Sequence, residues 1–517
     1  MNREEQLHRL SQNETYDIIV IGGGATGLGC ATDAASRGYK VLLLEKHDFA
    51  KGTSSRATKL VHGGVRYLAQ GNIRLVREAL FERGRMLRNA PHVCKVLPFV
   101  MPSYKWIDKW YYGIGLWIYE FLSSKLSLGE TKFLSKTKTL EYLPDINKKG
   151  LVGGILYFDG QFDDSRLAIN LAQTAIENGA IVLNYCGVSQ FVKEHNQIVG
   201  VVAKNTFTDE EYHIRGKAII NATGVFADDV LQMAEGNSAK TIAPSQGIHL
   251  VIDKHFFSGN IALMMPKTED GRVFFLIPWH DKLVLGTTDT PVKNVSLEPE
   301  ALQEEIDFVI HHFNKYSTSK ITRADVKSVF VGLRPLAKVE NESSTAVMPR
   351  DHKIKILSSG LIHVTGGKWT TYRSMAQHAI DIAIQKAQLE FVKCKTKRLK
   401  IHGWTDCSED SHLSIYGSDA DAIKKLMLHN ADLAVKLHPD YPYTKAEVVW
   451  IIQNEMPQTV EDILARRIRL LFLDAKAAKD CSPIVADLIA HELSKTEDWV
   501  SEQIQLFNQL TKNYFLT

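Results

Sequence analysis

The sequence predicts an α/β fold built around a parallel strand–helix–strand unit, and three observations carry that prediction. The stretch YDIIVIGGGATGLGCATDAASRGYKVLLLEK, residues 16–46, runs through apolar strand, glycine turn, helix, second apolar strand and acid in that order. Two later stretches, AIINATGVFADDV (218–230) and GLIHVTGGKWTTYRSMAQHAI (360–380), also pass from an apolar strand to glycine. The chain has 517 residues, too many for one compact core, so two or three domains are expected.

Taken in order, Asp17 to Ile21 forms a buried parallel strand, and a helix follows to about Arg37. Gly22 permits the tight turn, Gly24 lets backbone approach a pyrophosphate, and Gly27 lets the helix pack on the strand. The orphan amides of the helix N-terminus favour phosphate charge. The second strand, Lys40 to Leu44, ends at Glu45, 18 residues after Gly27, where a carboxylate accepts hydrogen bonds from a ribose diol. This unit alone does not separate NAD from FAD. The next stretch, GTSSRATKLVHGGVRYL (52–68), brings Thr53, Ser54 and Ser55, small enough for a flat ring to lie close, then His62, Arg66 and Tyr67. The strand from Ala218 ends at Ala222-Thr223-Gly224. IPWHDKLVLGTTDTP (277–291) alternates like a strand and ends in Thr287, Thr288 and Asp289, which suit either a site or a plain turn. The last junction ends at Gly366-Gly367, with a helix beginning near Trp369. Three such junctions far apart in the chain point to one long cofactor lying among them; a nicotinamide domain normally needs only the first.

Composition narrows the function classes. Hydrophobic residues make up 44% and charged residues 23%, as in an ordinary globular protein. The net charge of +3 gives no argument for nucleic-acid binding. Six cysteines, at 30, 94, 186, 394, 407 and 481, form no C-x-x-C pair, so no metal site or disulfide framework is expected. The polar start MNREEQLHRLSQNET lacks an apolar signal core, and a reducing cytosol is the simplest expectation. No calcium-loop pattern occurs. WYYGIGLWIY (110–119) is uncharged but far shorter than the roughly 20 residues a spanning helix needs. The wider stretch 104–126 is rich in Trp and Tyr, which suits either a membrane interface or an aromatic-rich core helix, the second being the preferred reading. Near the C-terminus, Thr459 is placed to cap a helix with Asp462, whose apolar face holds Val460, Leu464, Ile468, Leu471 and Ala475. Arg466, Arg467 and Arg469 lie off that face. They are expected to pair with acids of a neighbouring domain rather than with anionic lipid.

Together IGGGATG, TSSRATKLVHGGVRYL, NATGVFADD, IPWHDKLVLGTTD, VGLRPL and TGGKWTTYR resemble the FAD-dependent, quinone-linked glycerol-3-phosphate dehydrogenase family. The match runs from about Tyr16 to Arg373 and continues more weakly over Val460 to Ala478. The resemblance implies a glutathione-reductase-like FAD-binding domain with a mixed-sheet substrate domain and a C-terminal α-helical cap domain. The expected divisions are 12–100, 156–240 and 354–390 for the FAD domain, 101–155 and 241–353 for the substrate domain, and 391–517 for the cap. It implies oxidation of sn-glycerol 3-phosphate to dihydroxyacetone phosphate, by hydride transfer from C2 to flavin N5, with electrons passed to membrane quinone. The expected location is cytoplasmic, peripheral on the inner face of the cell membrane. An anionic lipid surface and a homodimer stand among the candidate partners. The cofactor set is Gly22, Gly24, Gly27, Glu45, Thr53, Ser54, Ser55, Lys59, Thr223, Gly224, Gly367, Lys368 and Thr370.

The substrate phosphate calls for arginine, whose fork binds it bidentately. Arg334 in GLRPL is the first candidate, then Arg66 and Arg350, with Tyr67 and Lys368 beside them. A base must take the hydroxyl proton, and histidine exchanges protons near neutral pH. His62 is preferred because it shares a segment with the expected flavin contacts, and His249 in SQGIHLVID is the alternative. Arg334 is also placed to stabilise a developing alkoxide. The helix start at Lys368 would favour negative charge on the flavin's N1–O2 edge. Competing readings are an oxidase of the same fold that makes hydrogen peroxide, an amino-acid oxidase, and a module that holds FAD without turnover.

Overall fold

The computed structural model describes residues 1–12, 14–69, 71–236, 238–269, 271–338, 352–406 and 411–516, with backbone alone at Arg66 and Ala69. Two large sheets organise it. In the first, Tyr16–Ile21 lies between Val41–Leu44 and Glu211–Asn221, parallel to both. Ile181–Leu183 extends one side and Ile362–Gly366 the other, again parallel. Because these strands run the same way, the tips at Ile21, Asn221 and Gly366 open onto one edge. That is where ligands bind in open parallel sheets. The strands Ile18–Ile21 and Val41–Leu44 are buried throughout, as expected of strands covered on both faces.

The second sheet has ten strands and is mixed: Ala262–Met265 runs parallel to Cys94–Ser103, while its other pairings are antiparallel. Its longest pairing joins Ile242–Asp253 to Val326–Ala337, with Gly247 opposite Gly332 and Ser245 opposite Arg334. Helices close the C-terminal part, including Lys445–Glu455, Ala475–Leu493 and Glu497–Thr511.

Two expectations need correction. The helix entered at Thr459 is not one continuous helix. The reciprocal cap forms, with Thr459 Oγ1 accepting from Asp462 N and Asp462 Oδ2 accepting from Thr459 N. The chain then breaks at Arg469, whose φ is 65°, and again at Asp474 before Ala475–Leu493 begins. Three arginines explain the break. Arg466, Arg467 and Arg469 are each about 1% exposed, and their carboxylate partners lie in different directions. Regular helical spacing would not reach them all.

The aromatic stretch forms the helix Trp106–Ser123, but most of its rings stay outside a core, Tyr119 being buried. Its buried residues are Lys109, Gly113, Leu116, Tyr119 and Ser123. Trp106, Ile107, Trp110, Tyr111, Ile114, Trp117 and Phe121 are all more than half exposed. The reason is steric: Phe133 packs so closely at Gly113 that a Cβ there would lie 2.1 Å from its ring. The packed face is therefore the one that carries Gly113, with Leu116 and Tyr119, and the other large rings are left outside. Among the described residues, no helix is long and apolar enough to cross a membrane.

His402 ties the connection into the C-terminal part. Its Nε2 lies 2.7 Å from Asp419 Oδ2, and Nδ1 pairs with Glu177. Burial opposes the imidazolium, but these two carboxylates outweigh it and lift its pKa to about 9. A folded-state pKa above the free value stabilises fully below about pH 6.5, and the contribution is lost as pH rises through 9. Glu177 is 53% exposed, so solvent screening holds the effect to about 1–2 kcal/mol. Calorimetry from pH 6 to 10 should show His402→Gln less stable than the parent at low pH, with the gap closing above pH 9. A pH-independent gap would contradict this.

Candidate active site

The strand tips enclose a cavity of about 460 Å³. Gly22, Gly24, Glu45, Thr53, Ser54, Thr223, Gly224, Gly367 and Lys368 of the expected set line it. Gly22 has φ +110°, and a Cβ there would lie 2.8 Å from the Ala222 carbonyl. At Gly27 a Cβ would come within 1.9 Å of Gly22 O, so Gly27 serves the close packing of helix on turn. The helix Ala25–Arg37 starts at Gly24 with no side-chain cap, and Ala25 N donates to Ser54 Oγ at 2.9 Å. Glu45 accepts from Gly23 N at 2.6 Å and His47 N at 2.8 Å. Burial raises its pKa, and these amides oppose the rise.

The loop after Glu45 is fixed from the C-terminal part. Asp48 is fully buried and accepts from Arg466 Nε at 2.5 Å and from two nitrogens of Arg467 at 2.6 and 3.0 Å. Burial alone would raise its pKa, but Arg467 and Arg466 outweigh burial and hold the carboxyl below its usual range. Lys51, which lines the cavity, pairs with Glu461 at 2.6 Å. Trp369 Nε1 donates to the Ser54 carbonyl at 2.8 Å and so joins the last glycine junction to the first.

Beyond this cavity lie two groups of site residues. In one, the turn His62–Gly64 meets the last junction: His62 N donates to Thr370 Oγ1 at 3.3 Å, and Lys368 Nζ lies 4.5 Å from the Tyr67 ring centre. In the other, Arg334 lies over Gly247, where a Cβ would be 2.3 Å from its guanidinium. Arg334 donates to Gln246 O at 3.1 Å, Thr288 O at 2.9 Å and Thr287 Oγ1 at 3.2 Å. Asp289 Oδ1 lies 3.5 Å away. His249 is two residues beyond Gly247 and therefore faces the same side of the sheet. Its ring stacks on Phe330, and its Nε2 lies 2.9 Å from Thr58 Oγ1. His249 Nδ1 is buried and has no hydrogen-bond partner among the described residues. Burial, with the charges of Lys59 and Arg334 added, pushes its pKa well below the usual histidine range, so the ring is neutral at physiological pH.

Other expected residues fall elsewhere. Lys59 does not line the cavity; its Nζ is buried between Ser55 O at 2.9 Å and Asp164 at 2.8 Å. Burial and the neighbouring Arg469 lower its pKa to about 8. Ser55 contributes its carbonyl to that pair, and Thr370 serves the His62 turn; neither lines the cavity. Arg350 and the side chain of Arg66 lie outside the described residues. Trp369, Pro335 and Asp48 were not named as site residues from the sequence. Only a ring two residues after a glycine pair, a proline next to Arg334, or an acid with an arginine triplet far along the chain could have marked them.

The donor set fits an adenine dinucleotide. Glycines clear the backbone on three strand tips, uncapped helix amides suit a pyrophosphate, and Glu45 suits a ribose. Fold and site together define an FAD-dependent oxidoreductase, and the family model for FAD dependent oxidoreductase matches residues 17–381. A second model, the C-terminal domain of alpha-glycerophosphate oxidase, matches residues 363–500. The chain is 37% identical to the mitochondrial glycerol-3-phosphate dehydrogenase of Mus musculus, over 98% of this chain and 74% of that one. It is 35% identical to the mitochondrial glycerol-3-phosphate dehydrogenase of Arabidopsis thaliana, over 99% and 88%. The crystal structure of the glycerol-3-phosphate dehydrogenase from Bacillus halodurans complexed with FAD is 28% identical, with a TM-score of 0.81 over 99% of this chain and 97% of that one. The chain belongs to the FAD-dependent glycerol-3-phosphate dehydrogenase family. The L-alpha-glycerophosphate oxidase of Mycoplasma pneumoniae, at 18% identity and a TM-score of 0.58, shares the fold.

Proposed function

We propose that this protein oxidises sn-glycerol 3-phosphate to dihydroxyacetone phosphate, the C2 hydride passing to flavin N5 and the electrons onward to a membrane quinone. FAD, when bound, supplies the two-electron acceptor. Gly22, Gly24, Glu45, Thr53, Ser54, Thr223, Gly224 and Gly367 would hold it. The observation that carries the reading is Arg334, clamped over Gly247 on the sheet face it shares with the neutral His249. A fixed guanidinium holds a phosphate or an alkoxide, and a neutral imidazole takes a proton. Both are needed to oxidise a phosphorylated alcohol.

The structure favours His249 over His62 as the base. His249 is neutral, beside Arg334, and its Nδ1 is the nitrogen that Thr58 does not engage. In this reading Nδ1 takes the C2 hydroxyl proton. Arg334 stabilises the charge that develops on that oxygen. Lys368, at the last glycine junction, and Tyr67, on the short helix after the His62–Gly64 turn, hold the substrate at its other end, and alignment of C2 depends on both anchors.

We propose peripheral attachment to the cytoplasmic face of the cell membrane for the same molecule. Support comes from the aromatic helix Trp106–Ser123, with its row of exposed Trp, Tyr, Ile and Phe side chains. Arg74, Arg77, Lys105 and Lys125 are exposed near it and match an anionic lipid surface.

Anaerobic addition of glycerol 3-phosphate to the purified yellow protein should bleach the flavin absorption, and unphosphorylated glycerol should not. Equal bleaching by glycerol would overturn the phosphate clamp assigned to this site. Reoxidation by a quinone analogue without peroxide is expected; peroxide release in air at a comparable rate would favour an oxidase.

A further inference from the structure

One side chain ties the aromatic helix to the active-site turn. Tyr119 lies on the buried face of Trp106–Ser123 and is 2% exposed. Its hydroxyl accepts from the backbone N–H of Gly63 at 2.6 Å and lies 3.0 Å from both oxygens of Asp159. Asp159 also takes Arg83 Nη1 at 2.7 Å, and the Arg83 guanidinium lies 5.7 Å from the Tyr119 ring centre. The carboxylate thus sets the direction of the hydroxyl, and the hydroxyl sets the amide.

Gly63 sits between two residues of the site. A Cβ on Gly63 would lie 2.8 Å from Leu80 and from the Tyr119 ring, so the turn is pressed against the helix. A Cβ on Gly64 would lie 2.6 Å from Tyr67 and 3.5 Å from Lys368 Nζ. Movement of Tyr119 is therefore passed directly to His62, Tyr67 and Lys368. Val76, Leu80 and Tyr119 form a small apolar cluster of their own, with Tyr67 packed at its edge. A cluster with so few buried apolar contacts lies at the low-stability end of a fold.

We propose that Tyr119 is a positioning residue that passes the seating of the aromatic helix on a lipid surface to the His62–Tyr67 turn, through the Gly63 amide. This rests on the reading of that helix as the lipid-facing element. Seating orders the helix, fixes the hydroxyl and selects the substrate-ready form of the turn.

The test uses the full-length FAD-loaded protein and its Tyr119→Phe variant, with vesicles of phosphatidylcholine and phosphatidylglycerol and a soluble dye as electron acceptor. The wild type should pellet with vesicles, and they should lower its KM for glycerol 3-phosphate roughly 3- to 10-fold, the range of one hydrogen bond, with kcat little changed. Amide exchange across residues 60–68 should slow on vesicle addition. Tyr119→Phe should pellet equally well and show neither response. A variant that responds like the wild type overturns the coupling and leaves lipid binding intact. Pelleting of the wild type without a change in KM or exchange also overturns only the coupling. A wild type that does not pellet overturns the lipid reading and the coupling with it. Should the variant lose its flavin, exchange in the wild type decides alone: slowing across 60–68 supports the coupling, and unchanged exchange overturns it.

Discussion

Arg334→Ala is expected to lower kcat/KM for glycerol 3-phosphate by about 10³-fold while leaving the protein yellow and folded. Arg334 borders the cofactor cavity through its neighbour Pro335 but does not line it, so flavin content should be unchanged. The loss should be large because the fork is held in one fixed orientation. Its nitrogens are aimed by Gln246 O, Thr288 O and Thr287 Oγ1, groups that orient a planar guanidinium. Arg334→Lys should recover little of the loss, since an ammonium carries the charge but not the planar geometry. Steady-state kinetics with a dye acceptor, alongside the flavin spectrum, measure this. A fall under tenfold would show that the phosphate and the developing alkoxide are held elsewhere.

The second large effect concerns stability. Asp48→Ala should destabilise the protein by about 3–5 kcal/mol, because it leaves Arg466 and Arg467 buried with a carboxylate removed. Glu461 and Asp462 still face Arg466, and Glu455 still faces Arg467, which keeps the loss within that range. The loop it anchors contributes His47, Ala50 and Lys51 to the cavity, so flavin should be released at the same lowered temperature. Following flavin fluorescence during a thermal ramp tests both at once. An unchanged melting temperature with normal flavin retention would show that the remaining acids suffice.

Both expectations depend on residues whose identity was visible in the sequence and whose partners were not. Arg334 stands out in GLRPL by its motif, but its place over Gly247 depends on the pairing of Val326–Ala337 with Ile242–Asp253, nearly ninety positions away along the chain. Neighbours in sequence ranked His62 above His249, because His62 shares a segment with the expected flavin contacts. Burial and two nearby cations, properties of the folded environment, push the His249 pKa well below the usual histidine range. Lys59 sits in a motif whose other members approach the cofactor, yet a carboxylate 105 positions later, Asp164, takes its ammonium. The arginine triplet read correctly as a set of ion-pair partners, but its acids include Asp48, more than four hundred positions earlier.

The glycine junctions were legible because their requirement is local. A turn that brings backbone against backbone admits no Cβ, and that constraint is written in the residue itself, as Gly22 and Gly27 show. Strand, turn, helix and acid within thirty positions therefore specified the nucleotide fold and its ligand class before any long-range contact was known. The orientation of the aromatic helix was different. Its Trp and Tyr content suited a core helix or a membrane interface, and which side packs was set by Phe133 closing on Gly113 from a separate strand. Local backbone chemistry determines which elements form and where a phosphate can approach. Which side chains converge, which charge is neutralised and which surface stays bare are decided when distant segments compete for the same buried volume.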